Sequence, residues 1–157
     1  MWLPNWLKKR HAVPSPSTPR LRILALSIAI DDCVSLRWLA QQHKWELRLT
    51  QSPREAFNLA SQSHFEIILC DRNQPGYPWR EVMERLAACS PRSCILLVSP
   101  VSDDDLWRSV LEHGGYDVLR RPLRENSTLH AILAVWRFIS GEMDISTGVE
   151  ADRQVRK

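Results

Sequence analysis

Residues 67–79 read IILCDRNQPGYPW, residues 95–100 read ILLVSP, and residues 114–123 read GGYDVLRRPL. Each stretch is a short apolar run that ends in a chemically able side chain: Asp71, Ser99 and Arg121 in turn. Runs this short and this apolar suit strands buried on both faces, as a parallel sheet requires. In an open α/β sheet, ligands gather outside the carboxyl ends of the strands. The three runs therefore predict an acid, a hydroxyl and a cation converging on one place. That combination suits a site that holds a phosphoryl group on a carboxylate.

Working outward, LRILAL at 21–26 reads as a strand. A helical pattern follows over 30–43, with Val34, Leu36, Leu39 and Ala40 inward and Asp31 or Asp32 able to cap its start. WELRLT at 45–50 alternates apolar and polar residues, as an outer strand does. SPREAFNLASQ at 52–62 opens with a Ser-Pro cap and runs on as an amphipathic helix. A third helix is expected over WREVMERLAAC at 79–89. A fourth is expected over DDDLWRSVLEHGG at 103–115, with acids in its first turn and glycine past its end. YDVL at 116–119 is the fifth strand, and NSTLHAILAVWRFIS at 126–140 the last helix. Strand and helix thus alternate throughout. This predicts an α/β, doubly wound parallel sheet with helices on both faces.

The ends of the chain read differently. Residues 1–20 hold Pro4, Pro14, Pro16 and Pro19 and are expected to be a flexible basic and aromatic segment. Within it, Trp2, Leu3, Trp6 and Leu7 precede Lys8, Lys9 and Arg10. That pattern fits a loose tail, and it also suits weak membrane contact by residues 1–11 at anionic headgroups. Residues 21–141 are expected to form the domain, and 142–157 a polar tail.

A chain of 157 residues can build one ordinary domain. The net charge of +3 is small and gathers mostly at the two ends, so no nucleic-acid footprint is expected. The four cysteines have no C-x-x-C spacing and no histidine cluster, which argues against a thiolate metal site. Free thiols, a cytoplasmic protein and no membrane span are expected. The opening residues lack the apolar core of a signal peptide.

The ordered part of the chain resembles a response-regulator receiver domain of two-component phosphorelay signalling. The likeness runs over about residues 21–139 and is carried by three motifs in order. These are Asp71-Arg72-Asn73-Gln74-Pro75-Gly76, then Ser99 at the end of the next run, then Gly114-Gly115-Tyr116-Asp117-Val118-Leu119-Arg120-Arg121-Pro122-Leu123. The resemblance implies a flavodoxin-like five-stranded sheet of order 2-1-3-4-5. It makes Asp71 the phosphoacceptor, with Ser99 and Arg121 in the phosphate-binding and switch positions. It implies Mg²⁺ held by an acid pair together with Asp71, for which Asp31 and Asp32 are the candidates. It implies as partners a sensor histidine kinase or phosphotransfer protein and a downstream protein, and it allows a homodimer. No enzyme with a substrate of its own is expected.

The chain departs from that pattern at several positions. Where the acid pair should follow the first strand stand Ser27 and Ile28, and Asp31 and Asp32 come four residues later than Ser27 and Ile28. Either the first strand ends near Leu26 and the pair is lost, or it runs on to Ile30 and Asp31 and Asp32 are the pair. Arg121 replaces a lysine, a planar fork in place of a compact ammonium. Val118 stands at the switch aromatic and Leu123 where phenylalanine is usual. If the acid pair is lost, metal affinity is weakened or absent. The chain is then a pseudo-receiver, an unphosphorylated and constitutive binding module.

Each residue also has a plainer role. Asp31 and Asp32 would cap a helix, Ser99 would satisfy a loop amide, and Arg121 would pair with Asp71. Output by protein binding is expected on the face of the fourth helix, fifth strand and last helix, near Trp107 and Trp136, with core packing the plainer role of both tryptophans. A flavin or phosphatase site on the same sheet would need a glycine-rich loop after the first strand, and SIAIDDC at 27–33 has none.

Overall fold

The computed structural model describes residues 20–141. The expected features of the tails at 1–19 and 142–157 lie outside the described residues. Five strands, β1 (Arg22–Leu26), β2 (Glu46–Thr50), β3 (Ile67–Asp71), β4 (Cys94–Ser99) and β5 (Asp117–Arg120), form one sheet. Its order is β2-β1-β3-β4-β5 and every neighbouring pair is parallel. Five helices connect and follow the strands: α1 (Ile30–His43), α2 (Pro53–Gln62), α3 (Trp79–Cys89), α4 (Asp104–Glu112) and α5 (Glu125–Ile139). No described helix is long and apolar enough to cross a membrane.

The two-residue period of the strands divides the core in two. Ile23, Ala25, Ile67, Leu69, Leu96 and Val98 face one side and pack with Leu36 and Leu39 of α1 and Ile132 and Val135 of α5. Leu24, Leu26, Ile68, Cys70, Ile95 and Leu97 face the other, against α2, α3 and α4. All five residues of β3 are buried, so Asp71 is carried to the edge of a dry sheet. Caps follow the sequence at two helices. Ser52 Oγ accepts from the Glu55 amide, and an Asp103 carboxylate oxygen accepts from Leu106. Gly114 has φ of +91°, and a Cβ on Gly115 would lie 2.5 Å from Met83 Sδ. That closeness leaves room for glycine alone between α3 and β5.

The structure favours the reading in which the first strand ends near Leu26, and it corrects other expectations. β1 ends at Leu26 and α1 begins at Ile30, so the strand does not run on to Asp31 and Asp32. Neither of those acids caps α1; its N-cap is Ala29, with no side-chain hydrogen bond. Val34 points outward and is 62% exposed, in line with Ile30 and Trp38 at four-residue intervals. The helix is apolar on two sides, so its periodicity did not mark the inward one. Trp107 is half-buried, and Trp136 is half-buried against the α1–α5 core, so neither is a fully exposed anchor.

Candidate functional site

The site lies at the carboxyl edge of the sheet, beside the reversal of strand order between β1 and β3. The strand ends are stitched together past the ladders. The Arg72 amide donates to Val98 O and the Arg121 amide donates to Ser99 O, both at 2.9 Å. Asp71 is in register with Val98, and Ser99 with Arg120. Asp71, Ser99 and Arg121 therefore stand on or just past three adjacent strand ends.

Asp71 is 4% exposed. Its Oδ1 accepts from the Asn73 amide at 2.8 Å, while Oδ2 is buried with no hydrogen-bond partner among the described residues. Burial pushes this carboxyl above its ordinary range, and the neighbouring charge of Asp32 adds to the effect. The Asn73 amide and the Arg121 cation oppose it.

Arg121 does not make the pair with Asp71 that its plainer role would have it make. Its Nε donates to Asp32 Oδ2 at 2.7 Å, and the Leu123 amide donates to Asp32 Oδ1 at 2.8 Å. The physical reason is the burial of Asp32. It sits on the inward side of the first turn of α1 with a side chain only 3% exposed, and a carboxylate so placed needs a cation and a donor. The hydrogen bond to Asp32 in turn raises the pKa of Arg121. Asp31 is exposed. Ser99 is fully buried, and its Oγ accepts from the Val101 amide at 3.2 Å, so it does serve a loop amide.

One site residue was missed by sequence reasoning. Gln74 is buried, and its Nε2 donates to the Asp71 carbonyl at 2.7 Å. Its Oε1 is the other buried oxygen without a partner among the described residues. A glutamine between Asn73 and Pro75 carries no signal of burial, because the loop around it is polar. Cys70, beside it, is no nucleophile: burial pushes its thiol up to about 12. Val118 and Leu123 are both buried.

The residues present do not fit a divalent ion as the resemblance implies one. Both oxygens of Asp32 are engaged, one by a guanidinium, and Asp31 is exposed on the surface. Among the described residues, no group of three or more His, Cys, Asp or Glu side chains is placed to hold a metal ion.

No protein-family model matches the chain. The transcriptional regulatory protein MalR of Bacillus subtilis (strain 168) is 26% identical over 87 residues, 55% of this chain and 37% of that protein. The chain thus matches little more than a third of that relative's length. Among solved structures, a CheY-like response regulator receiver domain protein from Methanospirillum hungatei JF-1 superposes with a TM-score of 0.70 at 16% identity. The match covers 79% of this chain and 99% of that one. The signal receiver domain of an HD domain-containing protein from Pseudomonas fluorescens Pf-5 gives 0.70 at 17% identity, over 82% and 95%. A Burkholderia pseudomallei response regulator, crystallised with a phosphorylated aspartic acid, a calcium ion and citrate, gives 0.62 at 18% identity, over 87% and 75%. At these identities the likeness is one of fold: residues 20–141 adopt the five-stranded architecture of response-regulator receiver domains.

Proposed function

We propose that this chain is a receiver-type module of two-component phosphorelay signalling in which Asp71 accepts a phosphoryl group. The observation that carries this reading is the unpartnered, buried Oδ2 of Asp71 at the end of β3. It is a nucleophilic oxygen that no group among the described residues has claimed. The donor is a sensor histidine kinase or phosphotransfer protein, and the output is binding of a downstream protein in the cytoplasm. Ser99 and Arg121, at the next two strand ends, contact the phosphoryl oxygens. Support comes from the fold and from the phosphorylated aspartate of the Burkholderia pseudomallei relative.

The test is incubation of the full chain with a small phosphodonor and Mg²⁺, followed by intact-mass analysis. One phosphoryl adduct is expected, absent from Asp71→Asn. A specific observation favours a second reading, that of a constitutive binding module: both oxygens of Asp32 are already engaged. Absence of any adduct, beside an active control receiver, would leave that reading in place.

A further inference from the structure

We infer that the site takes up its phosphoryl group without a divalent ion, using the guanidinium of Arg121 as its built-in cation. The inference rests on the reading of Asp71 as the phosphoacceptor. It begins with what Arg121 leaves unused. A guanidinium has five N–H donors in a rigid fork. Only Nε is committed, at 2.7 Å to Asp32. The two terminal nitrogens make no hydrogen bond among the described residues, and the side chain is 31% exposed, open to an incoming ligand.

Asp32 therefore acts as a positioning residue. It fixes the guanidinium at one corner, and the Leu123 amide fixes Asp32 in turn at 2.8 Å. A guanidinium anchored through Nε presents its terminal pair to two oxygens of one phosphoryl group, the bidentate geometry in which arginine exceeds lysine. The Arg121 charge already acts on the Asp71 carboxyl. A divalent ion seeking Asp32 would have to displace both the guanidinium and the amide.

The step balances with an acyl phosphate as donor. Oδ2 of ionised Asp71 forms a bond to phosphorus. The bond from phosphorus to the acyl oxygen breaks, and its electron pair leaves with the released carboxylate. Charge on the equatorial phosphoryl oxygens is met by Arg121, an electrostatic role that needs no proton transfer.

The test uses the full chain with acetyl phosphate, in EDTA and in parallel in Mg²⁺, with adduct formation followed by intact mass. Equal adduct at comparable rates in both is the expected result. In EDTA, Arg121→Lys, shown to be folded by circular dichroism, is expected to slow the reaction about tenfold or more. Adduct in Mg²⁺ alone would overturn the inference and leave the phosphoacceptor reading standing. No adduct in either condition would remove both. A rate unchanged in Arg121→Lys would also overturn it. If that variant does not fold, the wild-type comparison decides alone.

Discussion

Asp32 and Asp71 are almost equally buried, at 2% and 4% exposure, and they sit at the same edge of the same sheet. Their surroundings differ. Asp32 has a partner for each oxygen: the Arg121 Nε and the Leu123 amide. Asp71 has one amide on Oδ1 and, among the described residues, no partner for Oδ2. Depth of burial therefore says little about what a carboxylate is for; the count of satisfied lone pairs says more. The satisfied acid is structural, tying α1 to the chain that follows β5. The unsatisfied acid is left in a state that protonation or a bond to phosphorus would relieve.

The largest effect that sharpens this contrast is expected at Asp32. Replacing it with alanine removes the only described acceptor of the Leu123 amide and releases Arg121. The guanidinium is part-exposed and recovers water, which limits the loss. A destabilisation of about 2–4 kcal/mol is expected, set mainly by the orphaned buried amide and the broken ion pair. Urea unfolding of Asp32→Ala against wild type measures it. A loss under about 0.5 kcal/mol, the range of ordinary surface changes, would show that the pair is not structural.

The partners of Asp32 explain what could and could not be read from the sequence. The sheet was legible because β1, β3 and β4 are near-continuous apolar runs, and because α2 and α4 carry their own capping residues. The strand ends were legible for the same reason, so Asp71, Ser99 and Arg121 could be placed side by side. The choice of partner for Arg121 was not. Asp32 is 89 residues away, and it reaches the site from the first turn of α1, not from the end of β1. Sequence spacing gives strand register but not the direction of a side chain across a loop. Periodicity does not separate Val34 from the inward positions of α1, because Ile30, Val34 and Trp38 form an apolar row as regular as the buried one.

A smaller effect is expected from Arg121→Lys on stability. The ammonium keeps the charge, but its single nitrogen cannot occupy the Nε position and still present a free pair beyond it. A loss of about 1 kcal/mol is expected, the worth of one charge-assisted hydrogen bond partly regained. Equilibrium unfolding checks it. A loss as large as that of Asp32→Ala would mean that the Leu123 amide contributes little and that the guanidinium does most of the bracing.

The smallest effect, and opposite in sign, is expected at Asp71. Asn at this position keeps an oxygen for the Asn73 amide and removes a charge that burial disfavours. A gain of under about 1 kcal/mol at neutral pH is expected, because the loss of a buried charge is partly offset by the unpaired amide NH2 that takes the place of Oδ2. The pH dependence supplies the sign. The folded carboxyl titrates above its ordinary 3.8, so the folded chain binds this proton more tightly than the unfolded chain. Its contribution is fully present below 3.8 and is lost as pH rises through the raised folded value. The stability of Asp71→Asn relative to wild type should therefore grow with pH above 3.8 and then level off. Unfolding midpoints of the two proteins across that window give the difference curve directly. A flat curve would mean that Oδ2 is solvated or already paired in solution, and the contrast with Asp32 would collapse to two satisfied acids.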